Sequence, residues 1–94
     1  MDFKIINMYP TPAGGKLKAT YNVEIHDPET KCSIVLRNIR LYKSETGMWS
    51  AMPRYPHQEQ GKTVYEVPFQ IVGEKDTLLN QITRVAQERF YALP

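Results

Sequence analysis

The sequence is poor in the residues from which catalytic and metal centres are usually built. It has one cysteine, Cys32, and two histidines, His26 and His57. A lone cysteine makes no intrachain disulfide and no cysteine-based zinc site, so a reducing compartment suits the chain. Neither histidine has a Cys, Asp or Glu at ligand-like spacing, and each reads as a solvated surface residue. Gly14-Gly15 lacks the Lys-Ser/Thr pair and following helix of a phosphate loop and reads as a hairpin turn. Glu24 and Glu66 fall on exposed strand positions, where a carboxylate is too little perturbed for acid/base work. No run approaches the roughly 20 apolar residues needed to span a bilayer. The N-terminal stretch, interrupted by Lys4 and Asn7, does not read as an export signal, and the cytoplasm is the expected location. No catalytic residue, metal or cofactor is expected, nor a small-molecule substrate.

What the chain does have is enough apolar residue for one core. Ninety-four residues with 41% hydrophobic and 23% charged side chains suit a single domain over 1–94, with little area left for a deep cleft. The net charge of +2 is unevenly spread. Residues 1–54 hold eight Lys/Arg against five acids, residues 55–73 come to −1, and residues 74–94 are neutral. An anion-binding surface would therefore lie on the first two-thirds of the chain.

Hydrophobic periodicity predicts mostly strands. Residues 3–9 form a first strand, ended by the turn-forming run from Pro10 to Gly15. Over residues 16–26, Leu17, Ala19, Tyr21, Val23 and Ile25 alternate with Lys16, Lys18, Thr20, Asn22, Glu24 and His26. That period of two means one face on a core and one in water. Asp27–Thr30 is a turn, and residues 31–43 form a long third strand whose apolar parity switches after Leu36. The switch predicts a β-bulge near Arg37-Asn38. On this parity Cys32 is a buried structural thiol. Ser44–Gly47 is a tight turn, Met48–Met52 a short fourth strand, Arg54–Lys62 an exposed polar loop, and Thr63–Phe69 a fifth strand that Pro68 confines to an edge or ends. Leu78, Leu79, Ile82, Val85, Ala86 and Phe90 recur at helical spacing over 77–91, with Asp76 placed to cap. The expected fold is α+β: a single antiparallel sheet of about five strands with one C-terminal helix packed on it.

The most informative stretch is Leu36 to Arg54, LRNIRLYKSETGMWSAMPR. Asn38-Ile39-Arg40, Gly47, Met48-Trp49 and Ala51-Met52-Pro53-Arg54 follow one another as in the SpoVG (stage V sporulation protein G, septation) family, which the chain resembles along its whole length. Gly15-Lys16-Leu17-Lys18-Ala19 is similar to that family's opening of the second strand. The chain differs from the family where it reads Val72-Gly73-Glu74-Lys75-Asp76-Thr77 in place of a basic, glycine-containing run into the helix. The resemblance implies a small bacterial DNA- and RNA-binding regulator, linked in spore-formers to septation and sporulation, and a homodimer.

Within this stretch Met48, Trp49 and Met52 read as core or interface packing rather than ligand contacts, with Trp49 expected to be largely buried. Gly47 reads as a positive-φ turn residue and Pro53 as a strand stop. Lys16, Lys18, Arg40 and Arg54 are then the candidate nucleic-acid-binding residues. Lys16, Lys18 and Arg40 are expected on one outer sheet face, Arg54 just past the fourth strand, and Tyr42 at the margin. Two other readings remain open: a protein–protein module using Tyr42, Tyr55 and Tyr65, and a small-molecule pocket between helix and sheet.

Overall fold

The computed structural model describes residues 2–12, 15–66, 73 and 75–94, with the side chains of 64–66, 75 and 76 outside the description. Alternating apolar residues draw the first half of the chain into an antiparallel meander of β1 (Asp2–Pro10), β2 (Leu17–Asp27), β3 (Cys32–Ser44) and β4 (Gly47–Ala51), in that spatial order. A separate hairpin pairs β5 (Tyr55–Glu59) with β6 (Lys62–Glu66), and α1 (Lys75–Tyr91) follows. The α+β class, with an antiparallel sheet and a C-terminal helix, is as the pattern predicts.

The strands divide differently from expectation. The segment Arg54–Lys62, expected as a polar loop, forms β5 and a tight turn to β6. Gln60 and Gly61 have φ of 51° and 78°. Two successive left-handed residues make the mirror-image turn whose twist matches paired strands, so backbone geometry overrides the lack of hydrophobic periodicity. The fifth expected strand thus pairs with this new strand instead of joining the main sheet, and its expected continuation through Pro68 and Phe69 lies outside the described residues. The helix begins at Lys75, one residue before the expected cap Asp76, whose side chain is also outside the description.

The β3 bulge falls where the parity switch predicts it. Tyr21 pairs with Ile39 and Val23 with Leu36, so Arg37 and Asn38 together oppose Asn22. Asn38 takes φ 61°, a left-handed conformation that asparagine tolerates better than most residues. A bulge on β1 lies beside it, because Ile5 pairs with Val23 and Asn7 with Asn22. The buried Asn22 amide serves both irregularities. Its Oδ1 accepts from the Asn38 backbone N–H (3.0 Å) and its Nδ2 donates to Asn7 Oδ1 (3.1 Å). Two kinks of the sheet are pinned by one side chain.

The core forms between the sheet and α1. Ala19, Tyr21, Val23, Leu36, Ile39 and Leu41 from the sheet bury against Ile82 and Ala86, with Met8, Met48, Met52, Leu78 and Phe90 around them. Within it runs a polar bridge. Thr83 Oγ1 donates to Ser50 Oγ at 2.6 Å, and Ser50 Oγ lies 2.6 Å from Tyr21 Oη. Burial pushes the Tyr21 hydroxyl up to about 12, against the lowering effect of its hydrogen bonds to Ser50 and Thr83. At the far end of the β2–β3 hairpin, Thr30 Oγ1 and the Glu29 N–H donate to Asp27 and hold its carboxyl below the ordinary value. Cys32 sits beside this turn and is exposed, not buried, its thiol 3.6 Å from the Thr30 carbonyl. Its parity is apolar, but the hairpin has there run beyond the cover of the helix.

Candidate nucleic-acid interface

Cross-strand partners share a sheet face, so the register assigns each strand residue to the helix side or the open side. Leu41 pairs with Ser50, and both are buried toward α1. The residues between them therefore face outward. Arg40 pairs with Thr20 and Ala51, and Thr20 in turn with Tyr9, giving an outer row Tyr9–Thr20–Arg40–Ala51. The next row is Leu17–Tyr42–Trp49.

The position of Trp49 corrects the sequence reading. The side chain is not core but outward and 40% exposed, with its ring stacked on Tyr42 at a centroid distance of 5.6 Å and an interplanar angle of 13°. Met48 and Ser50 take the inward positions on either side. Size and apolarity favour burial of a tryptophan, but a strand offers only every second residue to the core. Gly47, at φ 137°, supplies the expected positive φ after the turn.

The expected cations do not all lie together. Arg40 is exposed on the outer face, as predicted. Lys18 is the extra residue of a third bulge, because Leu17 pairs with Tyr42 but Ala19 with Leu41, and it is half-buried. That bulge reverses the alternation of β2 and puts Leu17, where an unbroken strand would put Lys18, opposite Tyr42. Lys16 is exposed at the rim instead, its carbonyl accepting from the Lys43 N–H at 2.8 Å. Lys43 belongs to the helix-side register, where its Nζ lies 5.4 Å from the Tyr91 ring centre. Arg54 is exposed between the buried Pro53 and β5. Close by, the Tyr55 hydroxyl accepts from Asn38 Nδ2 at 3.3 Å, which ties the second hairpin to the β3 bulge.

Among the described residues none of these four cations makes a salt bridge; His57 Nε2 lies 3.5 Å from Glu59 Oε2. Also among the described residues, no cluster of three or more His, Cys, Asp or Glu is placed to hold a metal, and no helix is long and apolar enough to cross a membrane. A shallow depression of about 410 Å³ lies at the β3–β4 turn, lined by Lys16, Ser44, Glu45 and Thr46, and not between helix and sheet.

The arrangement is a solvent-facing surface with three aromatic rings, a guanidinium and a basic rim. Hydrogen-bonding side chains and π-faces are both accessible on it. Comparisons with protein-family models, curated proteins and solved structures give no match.

Proposed function

We propose that the chain is a small, non-enzymatic bacterial regulator, resembling the SpoVG family, that binds DNA or RNA through the outer face of its four-stranded sheet and acts in the cytoplasm as a homodimer. The observation that supports this most is the exposed Arg40 on the outer face beside the rows that hold Tyr9, Tyr42 and Trp49, with neither it nor Lys16, Lys18 or Arg54 elsewhere on the first 54 residues paired with an acid among the described residues. Unpaired cations lose little on meeting a phosphate and release its counterions, which favours binding. The acidic entry to the helix, with Glu74 and Asp76, leaves the sheet as the basic part of the chain. A role in gene regulation, septation or sporulation follows from the resemblance.

Binding to mixed DNA and RNA should weaken steeply with salt. Four phosphate contacts per subunit give a log–log slope of roughly −3 to −4. Changing Lys16, Lys18, Arg40 and Arg54 together to Gln should abolish binding, with the melting temperature nearly unchanged because none of the four is fully buried or holds a salt bridge among the described residues. Undiminished affinity in that variant would place the site elsewhere. A second reading, a protein–protein module, is favoured by Ile34 and Val35, which are exposed near the β2–β3 turn at 64% and 39%. Absence of nucleic-acid binding by the unmodified chain would leave this reading in its place.

A further inference from the structure

The stacked pair at the β3–β4 hairpin puts two aromatic rings on the open face of the sheet. Trp49 is 40% exposed although the helix-side core lies one residue away on the same strand. Its ring is held nearly parallel to that of Tyr42, so both are oriented before any ligand arrives. The adjoining outer row adds Tyr9, 56% exposed, and Arg40. No carboxylate belongs to either row, since Leu17, Tyr42, Trp49, Tyr9, Thr20, Arg40 and Ala51 fill them. The acids beyond these rows are Glu45, in the turn past the Ser44–Gly47 pair, and Glu24, which pairs with Lys4 beyond the Asn7–Asn22 row.

Aromatic faces and unpaired cations together suit one class of occupant. Bases stack on aromatic rings irrespective of sequence, and cations alongside take the phosphates. Trp49 on β4 and Tyr9 on β1 are separated by three strand spacings, about 14 Å, with Arg40 on β3 between them. A strand crossing the sheet there has a ring at each end and a guanidinium along its backbone. Duplex nucleic acid hides its π-faces within the base-pair stack, so a duplex leaves these rings without a stacking partner. We propose that the outer face is a stacking platform for single-stranded nucleic acid, with one base on Trp49 and the neighbouring phosphate at Arg40. The proposal rests on the nucleic-acid reading above and narrows it to an unpaired strand.

The test uses the fact that Trp49 is the chain's one tryptophan. Tryptophan emission of the unmodified protein, excited beyond the tyrosine absorption band, therefore reports this position alone. Titration with an oligothymidylate of about twelve nucleotides, within the span of known single-strand sites, should quench it. A duplex of the same length should bind more weakly and leave the emission nearly unchanged. Trp49→Ala should weaken single-strand binding by roughly 5- to 150-fold, the range that one base–aromatic stack is worth, with the salt slope unaltered because no phosphate contact is lost. Trp49→Phe should retain most of the affinity, which guards against a variant that merely misfolds; circular dichroism melts establish that both are folded. Equal binding of single strand and duplex with unchanged emission would overturn the stacking platform and leave the nucleic-acid reading standing. Absence of binding to either would overturn both.

Discussion

Replacing Ser50 with alanine tests the junction between sheet and helix. Its hydroxyl stands between Tyr21 Oη and Thr83 Oγ1, at 2.6 Å from each, and all three residues are buried. Ser50→Ala removes the shared partner, so the Tyr21 and Thr83 hydroxyls must re-pair with each other or nearby, at about 1–3 kcal/mol for each one left unsatisfied. The Thr83 hydroxyl can turn to a carbonyl of its own helix, so one such penalty, about 2 kcal/mol, is the expected loss. Tyr21→Phe leaves Ser50 still bonded to Thr83 and should cost less, about 1 kcal/mol. In a domain of this size these losses correspond to roughly 8–16 °C and 4–8 °C in melting temperature. The Tyr21 hydroxyl adds a second, signed expectation. Its ionisation is raised from 10.0 to about 12 in the folded chain. Between those values the unfolded chain has released the proton and the folded chain has kept it, so stability falls as pH rises. The wild type should therefore lose about 2 kcal/mol more than Tyr21→Phe between pH 9 and pH 12. The order of stability should invert near pH 11, the variant becoming the more stable. Urea melts of both proteins at half-unit pH steps, with reductant present for Cys32, would measure this. Parallel stability curves would show that the tyrosine hydroxyl is not buried and would refute the reasoning.

Two further outcomes follow from the sheet. Asn38 at φ 61° should be replaceable by Gly with little change, whereas Asn38→Val should destabilise by about 1–2 kcal/mol because a β-branched residue is strained there; thermal melts of the pair would decide, and equal melting would refute the bulge. Light scattering at micromolar concentration should give about twice the 10.9 kDa chain mass if the proposed dimer forms, and a monomer at high concentration would remove it.

The parts of the fold that were legible in the sequence are those in which side-chain pattern and backbone geometry agree. The alternation from Leu17 to Ile25 marks β2, and the spacing from Leu78 to Phe90 marks α1. The β3 bulge was visible because it sits between two apolar runs, so its extra residue changes their phase. The bulge at Lys18 was not, because Leu17, Ala19 and Tyr21 alternate without a break through it. A phase change on a strand can be read only where apolar residues lie on both faces' boundaries, and Leu17 looked like one more core residue. Hence Lys16 was assigned to the outer face with Arg40 when it stands at the rim beside Lys43. β5 escapes the pattern for a different reason: Tyr55 to Glu59 show no apolar alternation, and only Gln60-Gly61 announces a turn into the expected fifth strand.

Trp49 is the more instructive case, because the information that places it outside was already in the sequence. A tight turn from Ser44 to Gly47 fixes the hairpin register, pairing Ser44 with Gly47, Lys43 with Met48 and Tyr42 with Trp49. The parity of Ile39 and Leu41 turns Arg40 outward, and Tyr42, two residues further, must share its face. Trp49 then has to follow Tyr42. Reading the residue by its size gave the core; counting from the turn gives the surface, and the count is what the stacked rings obey. The same count makes Ser50 an inward polar residue, which calls for a buried partner, and Tyr21 and Thr83 supply it. One register therefore decides both halves of the β4 strand's role. It sends a serine into the helix-facing core and leaves an indole on the open face, where single-stranded nucleic acid is the occupant we propose.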